Sequence, residues 1–188
     1  MELSTIYFSA AGECAPPVPL AIFRCAPHWS SSRVRRCVAW CVRSIGHWMW
    51  KHLVGLTPSA PGFAEVSLIP KIHDTVGPKS VSGQYLSPKG IIASSWKLTA
   101  QGVSLWVSLP IGVSAATIVV PKPTRHGKPS ATAVIKLHGV TIWDGNRLVG
   151  KPPGILSAAD VQSGVQFMTT NGVFDFESNA GSDPAEML

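Results

Sequence analysis

Side chains that could act as acids, bases or nucleophiles are few in this 188-residue sequence, and they are poorly grouped. His73 and Asp74 stand side by side in a polar stretch, and an imidazole next to a carboxylate is a pair that can transfer protons. Adjacent residues rarely converge on one substrate, however, and no nucleophile accompanies this pair. We therefore interpret it as a solvated turn and assign no catalytic residue.

Metal and cofactor sites are equally weakly indicated. Cys37 and Cys41 are four residues apart, one helical turn, but no second Cys or His pair follows at a zinc spacing, so we interpret both as buried apolar thiols. His47 and His52 are five apart and do not share a helix face. The GKPS stretch at 127–130 lacks the glycines and the Lys-Ser/Thr ending of a phosphate-binding loop. The sequence therefore predicts neither a metal nor a cofactor.

The elements that would position any site are mostly strands. Short β-rich runs separated by turn residues are typical of antiparallel sandwiches and barrels. Hairpins are predicted at Asp144-Gly145 and Asn171-Gly172, and a loop is predicted from Lys151 to about Ser163. The clearest runs are 81–87, 91–98, 103–109, 114–120, 132–138, 140–143 and 173–176. We predict a mainly β chain, an antiparallel and jelly-roll-like sandwich over 63–177.

One helix is predicted before the sandwich. Apolar residues recur every three or four positions over 33–56, and Gly55 followed by Pro58 is a typical helix stop. Residues 1–32 mix apolar, Pro and Ser residues without a period, so we expect an irregular or disordered segment there. We expect a disordered tail over 178–188.

Composition limits the classes of partner. The net charge is +6, but the basic residues are scattered except near 33–36, which argues against nucleic-acid binding. No apolar run approaches about 20 residues, so no membrane span is predicted. Only 14% of residues are charged, which favours a domain that lies against another surface.

The order of several motifs resembles the end of the bacterial-type α-L-rhamnosidases, a glycoside hydrolase family. The resemblance covers about residues 43–177, and the order of the motifs is more specific than any one of them. The matching segments are SIGHWMW at 44–50, VGL at 54–56, PGF at 61–63, SGQYLSPKG at 82–90, IIASSW at 91–96, 107–121, 140–149 and NGVFDF at 171–176.

The resemblance implies the last helix of a catalytic α/α barrel followed by a C-terminal β-sandwich that packs on that barrel. The family's catalytic carboxylates lie upstream of the resembling region, and hydrolysis of a glycosidic bond needs two carboxyl groups flanking it. Positions that match the family's Asn-His pair are Val38 and Ala39, and its Glu before the tryptophan is His47. We therefore expect an accessory domain that is non-catalytic by itself, with the barrel as partner.

Tryptophans are the candidate sugar-binding residues, because an aromatic ring complements the C–H face of a pyranose. Trp96 and Trp106 lie in predicted strands, where core positions are commoner. Trp143 precedes a turn and is expected to be more exposed. Two alternatives stay open: a stand-alone carbohydrate-binding module that uses Trp143 and the basic 121–129 loop, and a structural or interaction domain that docks through its helix.

Overall fold

The computed structural model describes residues 5–9, 45–73, 77–125, 128–130, 133–150 and 152–180. The predicted helix over 33–56 is therefore described only from residue 45. The predicted irregular segment 1–32 is described only at Thr5–Ser9, which is a strand. The predicted tail begins at 178, but the last described strand continues to Ala180.

Strands dominate the described residues. In chain order they are β1 (Thr5–Ser9), β2 (Leu56–Pro58), β3 (Glu65–Leu68), β4 (Ser80–Ser87), β5 (Gly90–Leu98), β6 (Gly102–Leu109), β7 (Ala115–Pro121), β8 (Thr124–Arg125), β9 (Lys128–Pro129), β10 (Ala133–Leu137), β11 (Val140–Trp143), β12 (Ile155–Val161), β13 (Gly164–Thr169) and β14 (Gly172–Ala180).

The strands form two main sheets. A seven-stranded sheet has the order β1-β4-β5-β6-β14-β10-β11, and a five-stranded sheet has the order β12-β13-β7-β3-β2. Neighbouring strands are antiparallel except for β3 and β7, which are parallel. A two-stranded ribbon, β8-β9, accompanies them. The prediction of a mainly β, antiparallel sandwich is confirmed.

The core lies between the two sheets and follows the alternation of the sequence. In β6, Val103, Leu105, Val107 and Leu109 are buried, because successive side chains of a strand point to opposite faces. Phe167 of the five-stranded sheet stacks on Phe176 of the seven-stranded sheet, with ring centroids 5.2 Å apart. The two inner faces therefore meet in one continuous apolar layer.

The helix ends against the seven-stranded sheet. Residues 45–49 are α-helical, and the helix continues as a π-helical turn, Trp50–Val54, that stops at Gly55 with φ of 81°. The π-turn contacts β2, β4 and β5. The Trp50 ring packs edge-on against Tyr85, with centroids 5.7 Å apart. The end of the helix therefore lies beside β2, at the edge of the five-stranded sheet, and covers the inner face of β4 and β5.

The hairpin predicted at Asn171-Gly172 is wrong. Strands β13 and β14 flank this turn, but β13 pairs with β12 and β7, whereas β14 pairs with β6 and β10. The chain crosses here from one sheet to the other. Burial explains the outcome, since the crossing lets Phe167 and Phe176 face each other across the core, which a flat hairpin would not do.

The loop predicted from Lys151 to Ser163 contains strand β12. Most of its side chains are exposed or half-buried, and only Ile155 is buried. β12 is an edge strand of the five-stranded sheet, so neither of its faces needs to be apolar. The missing apolar alternation is the reason that the sequence does not indicate a strand.

The turn predicted at Asp144-Gly145 does reverse the chain, but over four residues. Trp143 and Leu148 form an isolated antiparallel β-bridge, and the Val149 amide donates to the Ile142 carbonyl at 2.7 Å. The Asp144 Oδ1 atom accepts from the amides of Asn146 and Arg147, at 3.1 and 3.0 Å. A carboxylate that accepts from the amides two and three residues further along the chain stabilises such a turn.

The Asp144 turn predicts a dependence of stability on pH. The Asn146 amide, followed by the Arg147 amide, holds the pKa of Asp144 below its ordinary value of 3.8. A carboxyl whose pKa is lowered by folding stabilises the fold above its unfolded pKa, and this stabilisation disappears as the pH falls through the folded value. Asp144→Asn keeps the accepting oxygen but does not titrate. We expect the excess stability of the wild type over Asp144→Asn, measured by urea unfolding, to shrink as the pH falls below 3.8. A difference that stays constant with pH would contradict this account.

Candidate functional site

The outer face of the seven-stranded sheet carries an exposed tryptophan among polar side chains. In β6 the buried residues Val103, Leu105, Val107 and Leu109 alternate with Ser104, Trp106 and Ser108, which therefore point away from the core. Trp106 is 38% exposed. The register places Ser95 of β5 and Asp175 of β14 directly beside it. We call the set Ser95, Ser104, Trp106, Ser108, Asp175 and Glu177 the Trp106 face.

The neighbours of Trp106 are short or hydrophilic. The three serines and Asp175 are half-buried, and Glu177 is exposed. Within the described residues, no hydrogen bond or ion pair occupies either carboxylate. The arrangement offers one aromatic surface with hydrogen-bonding groups beside it.

The two other predicted sugar-stacking residues lie in the core. Trp96 is 2% exposed, and its indole N–H donates to the Leu53 carbonyl at 2.7 Å. Trp143, the tryptophan predicted to be more exposed, is only 3% exposed. The register between β10 and β11 shifts between Ile135 and Lys136, and consecutive residues Ile142 and Trp143 are both buried as a result. Neither ring can meet a sugar without local unfolding.

The sequence contains a signal that separates Trp106 from Trp96. The alternation in VSLWVSL at 103–109 places the tryptophan on the face opposite its apolar neighbours. The IIASSW stretch at 91–96 has no such alternation, so the direction of Trp96 depends on pairing with β4 and β6. The sequence therefore assigns the outward direction of the Trp106 side chain but not the direction of the Trp96 side chain.

The described carboxylates are dispersed. Glu65 is exposed in β3, Asp144 belongs to its turn, and Asp160 pairs with the Lys122 ammonium at 2.6 Å. Asp175 and Glu177 share a face of β14, about 7 Å apart by strand geometry. They lie on an open sheet rather than in an enclosed pocket. His73 is exposed, and its predicted neighbour Asp74 lies outside the described residues.

Three clefts bounded by described residues contain no pair of acids. One of about 380 Å³ lies at the β5–β6 turn between Ile72, Lys122 and Asn179. A second, beside it, includes Glu177 as its single acidic residue. A third lies near Phe63 and Tyr85, close to the end of the helix. None of these three clefts has the two flanking carboxyl groups that glycoside hydrolysis requires.

Other site types can be stated only for the described part of the chain. It holds no group of three or more His, Cys, Asp or Glu side chains placed to bind a metal ion. Cys37 and Cys41 lie outside the described ranges, as does part of the basic 121–129 loop. No helix that the structure describes has the length and apolar character needed to span a bilayer.

The second notable surface lies at the helix. Ile45 is 59% exposed and Trp48 is 54% exposed, on the last turns before the sandwich. Trp48 contacts His52, with ring centroids 5.3 Å apart. Large apolar side chains that stay exposed together indicate a contact surface. We call Ile45 and Trp48 the helix patch.

Comparison with known proteins identifies relatives of the sandwich. The family model described as the bacterial alpha-L-rhamnosidase C-terminal domain matches residues 55–134. An alpha-L-rhamnosidase from Alteromonas sp. (strain LOR) is 26% identical over 102 residues, 54% of this chain. Residues 55–134 are therefore similar to the C-terminal domain of the bacterial α-L-rhamnosidases. The family resemblance of the sequence motifs is thereby confirmed.

Solved rhamnosidases share the fold of most of this chain. The α-L-rhamnosidase of Dictyoglumus thermophilum superposes on 72% of the chain with a TM-score of 0.57 at 18% identity. The Streptomyces avermitilis enzyme, solved with L-rhamnose, superposes on 71% with a TM-score of 0.51 at 19% identity. The chain spans only 10% of the Alteromonas protein and 13% and 10% of these two structures.

Proposed function

We propose that this chain acts as the accessory β-sandwich of an α-L-rhamnosidase-type glycoside hydrolase, non-catalytic by itself, with a catalytic α/α barrel as its partner. The observation that supports this most is the match of residues 55–134 to the C-terminal domain of that family. The matched region is only 10% of the Alteromonas relative, so most of that rhamnosidase lies outside it.

The distribution of acids supports a non-catalytic role. Asp175 and Glu177 share one described face of β14, and they lie on an open surface. A general acid needs a raised pKa, which burial in a pocket provides and an open sheet does not. Nothing among the described residues supplies that environment.

The helix patch supports docking. Ile45 and Trp48 present apolar surface immediately before the sandwich, where the family resemblance places the last helix of the barrel. Burial of such side chains stabilises association, because apolar area is removed from water. The helix is anchored to the sandwich through Trp50 and Trp96, so a partner bound to the patch would be held rigidly against the domain.

The catalytic part of the proposal is tested with an aryl α-L-rhamnoside. We expect the purified chain to release no aryl alcohol above the uncatalysed background. Turnover that is abolished by Asp175→Asn or by Glu177→Gln would contradict the proposal, because a single-carboxylate dependence would place the reaction on this domain.

The docking part is tested in a chimera. The Alteromonas rhamnosidase would carry residues 45–180 of this chain in place of its own matching C-terminal region. We expect the chimera to retain turnover and a higher melting temperature than the same enzyme with the region deleted. Trp48→Ala should lower that melting temperature, whereas Leu156→Ala, an exposed apolar residue of the distant strand β12, should not. Equal effects of the two variants would contradict docking through the helix patch.

A further inference from the structure

We infer that the Trp106 face is a binding surface for a neutral carbohydrate. The inference depends on the residues of β5, β6, β14 and β10, and not on the proposed pairing with a catalytic barrel. The proposed ligand is polyhydroxylated and uncharged, and it lies across the outer side of the seven-stranded sheet.

An aromatic surface is the first requirement, and Trp106 meets it. Its neighbours along β6 are Ser104 and Ser108, and its neighbour in β5 is Ser95, all three with short side chains. A tryptophan in a sheet normally packs into the core, as Trp96 does. Trp106 instead faces outward on a central strand of the sheet and is 38% exposed. An apolar ring on a serine-rich face suits a ligand that is apolar on one side and hydroxylated at its rim.

Hydrogen-bonding groups of the right kind lie beside the ring. Asp175 is the direct cross-strand partner of Trp106. A carboxylate has two oxygens and accepts from two donors, which matches two adjacent hydroxyl groups of a sugar ring. No described residue donates to the carboxylate of Asp175 or of Glu177, so both remain available for a ligand. The serine hydroxyls can both donate and accept, as sugar hydroxyls require.

The charge of the surface favours an uncharged ligand. Asp175 and Glu177 are balanced by Lys97 and Lys136, which lie in the same row as Glu177 across β5, β6, β14 and β10. Lys136 and Glu177 are register partners, yet the Lys136 ammonium and the Glu177 carboxylate form no ion pair within 4.0 Å. A face with two charges of each sign gives no net attraction for a polyanion, so an uncharged ligand suits it better than a phosphate backbone or an acidic polymer.

The shape of the surface favours an extended chain. The four strands from β5 to β10 span about 14 Å at the usual strand spacing, and the sheet continues to β4 on one side and to β11 on the other. Ile91 and Val173 continue it as exposed apolar residues on the same face. A sheet face of this width can contact several sugar units of an oligosaccharide at once.

Calorimetric titration of the full chain tests the inference. Galactomannan, xyloglucan and linear arabinan serve as neutral probes, and each titration is repeated at low and high salt. We expect at least one probe to bind, with an affinity that does not change with salt, because no charges are paired. Trp106→Ala should weaken that binding about tenfold, the loss expected for one stacking contact. Trp106→Tyr should recover part of the affinity.

A matched variant separates a specific site from general loss of aromatic surface. Trp48→Ala removes another exposed tryptophan, from the helix patch, and should leave the affinity for the probe unchanged. Circular dichroism melting checks that each variant is folded. Absence of binding to all three probes overturns the inference, as does equal binding by wild type and Trp106→Ala.

A protein ligand is the competing explanation, and sedimentation of the same variants decides it. If Trp106→Ala dissociates a dimer of the chain while the neutral probes bind equally to wild type and variant, the Trp106 face is a contact between copies. That result would overturn the carbohydrate assignment.

Discussion

Adding a single methyl group at Gly55 is expected to destabilise the domain severely, by about 2–5 kcal/mol from the combined costs of a left-handed backbone and of overpacking. Gly55 ends the helix with φ of 81°, a conformation that side chains disfavour. A Cβ atom there would overlap the Pro70 nitrogen and the Ile69 carbonyl carbon, and it would lie 2.7 Å from the Ile69 carbonyl oxygen. Because these are backbone atoms, they cannot move aside as a flexible side chain would.

Gly139 provides the matched control for Gly55. It has the same φ of 81°, in the turn between β10 and β11, but no atom lies within 4 Å of the position that a Cβ atom would occupy. Gly139→Ala should therefore cost only the backbone term, about 1–2 kcal/mol. Urea unfolding of both variants measures the difference. Similar losses would show that the close approach of Ile69 and Pro70 to Gly55 is relieved without cost.

The consequence for function lies in the position of Gly55. The Ile69 amide donates to the Gly55 carbonyl at 2.9 Å, so this residue fixes the path of the chain from the helix into β2 and against the end of β3. A disturbed junction would alter the direction of the helix patch relative to the sandwich. We expect Gly55→Ala to reduce docking in the chimera even at temperatures where the sandwich remains folded.

The strands of the sandwich were predictable where burial imposed an alternation. In β6 the residues Val103, Leu105, Val107 and Leu109 form one face, and the period of two was sufficient to predict the strand. In β12 that information was missing, because an edge strand with exposed faces needs no apolar alternation. The alternation of apolar residues reflects burial, so a strand with few buried side chains cannot be recognised from it.

The distribution of strands between the sheets could not be predicted from turns. The Asn171-Gly172 dipeptide has strong local preference for a tight hairpin, yet the stacking of Phe167 on Phe176 requires the two strands to lie in different sheets. Contacts across the core between residues in different sheets decide this, and a single sequence does not display them. The same limit applies to Trp143, whose burial depends on a register shift between β10 and β11.

The candidate site was predictable in part. Trp106 could be placed on the outer face from its own strand, but its partners Ser95 and Asp175 come from β5 and β14, and Asp175 in particular is distant in the sequence. Only the order of strands in the sheet brings these three side chains together. Their residue types gave no advance indication of the grouping.

Trp96→Ala is expected to cost about 3–5 kcal/mol, the usual loss for deleting a large aromatic side chain from a core. Trp96 is among the largest fully buried side chains in the described structure. Its indole N–H also donates to the carbonyl of Leu53, at 2.7 Å. Leu53 lies in the π-helical turn. One residue therefore both fills the core beneath the helix and holds the helix to the sheet.

Two further variants separate the roles of Trp96. Trp96→Phe retains most of the apolar volume but removes the donor, and leaving the Leu53 carbonyl without its partner should cost about 1–3 kcal/mol. Trp106→Ala removes the same side chain from the outer face, where the residue is 38% exposed, and should cost less stability than Trp96→Ala because less apolar area is lost from burial. Urea unfolding monitored by circular dichroism gives all three values. If Trp96→Phe were as stable as the wild type, the hydrogen bond to Leu53 would not contribute to anchoring the helix. The helix patch would then depend on packing alone, through Trp50, Val54 and the inner face of β4.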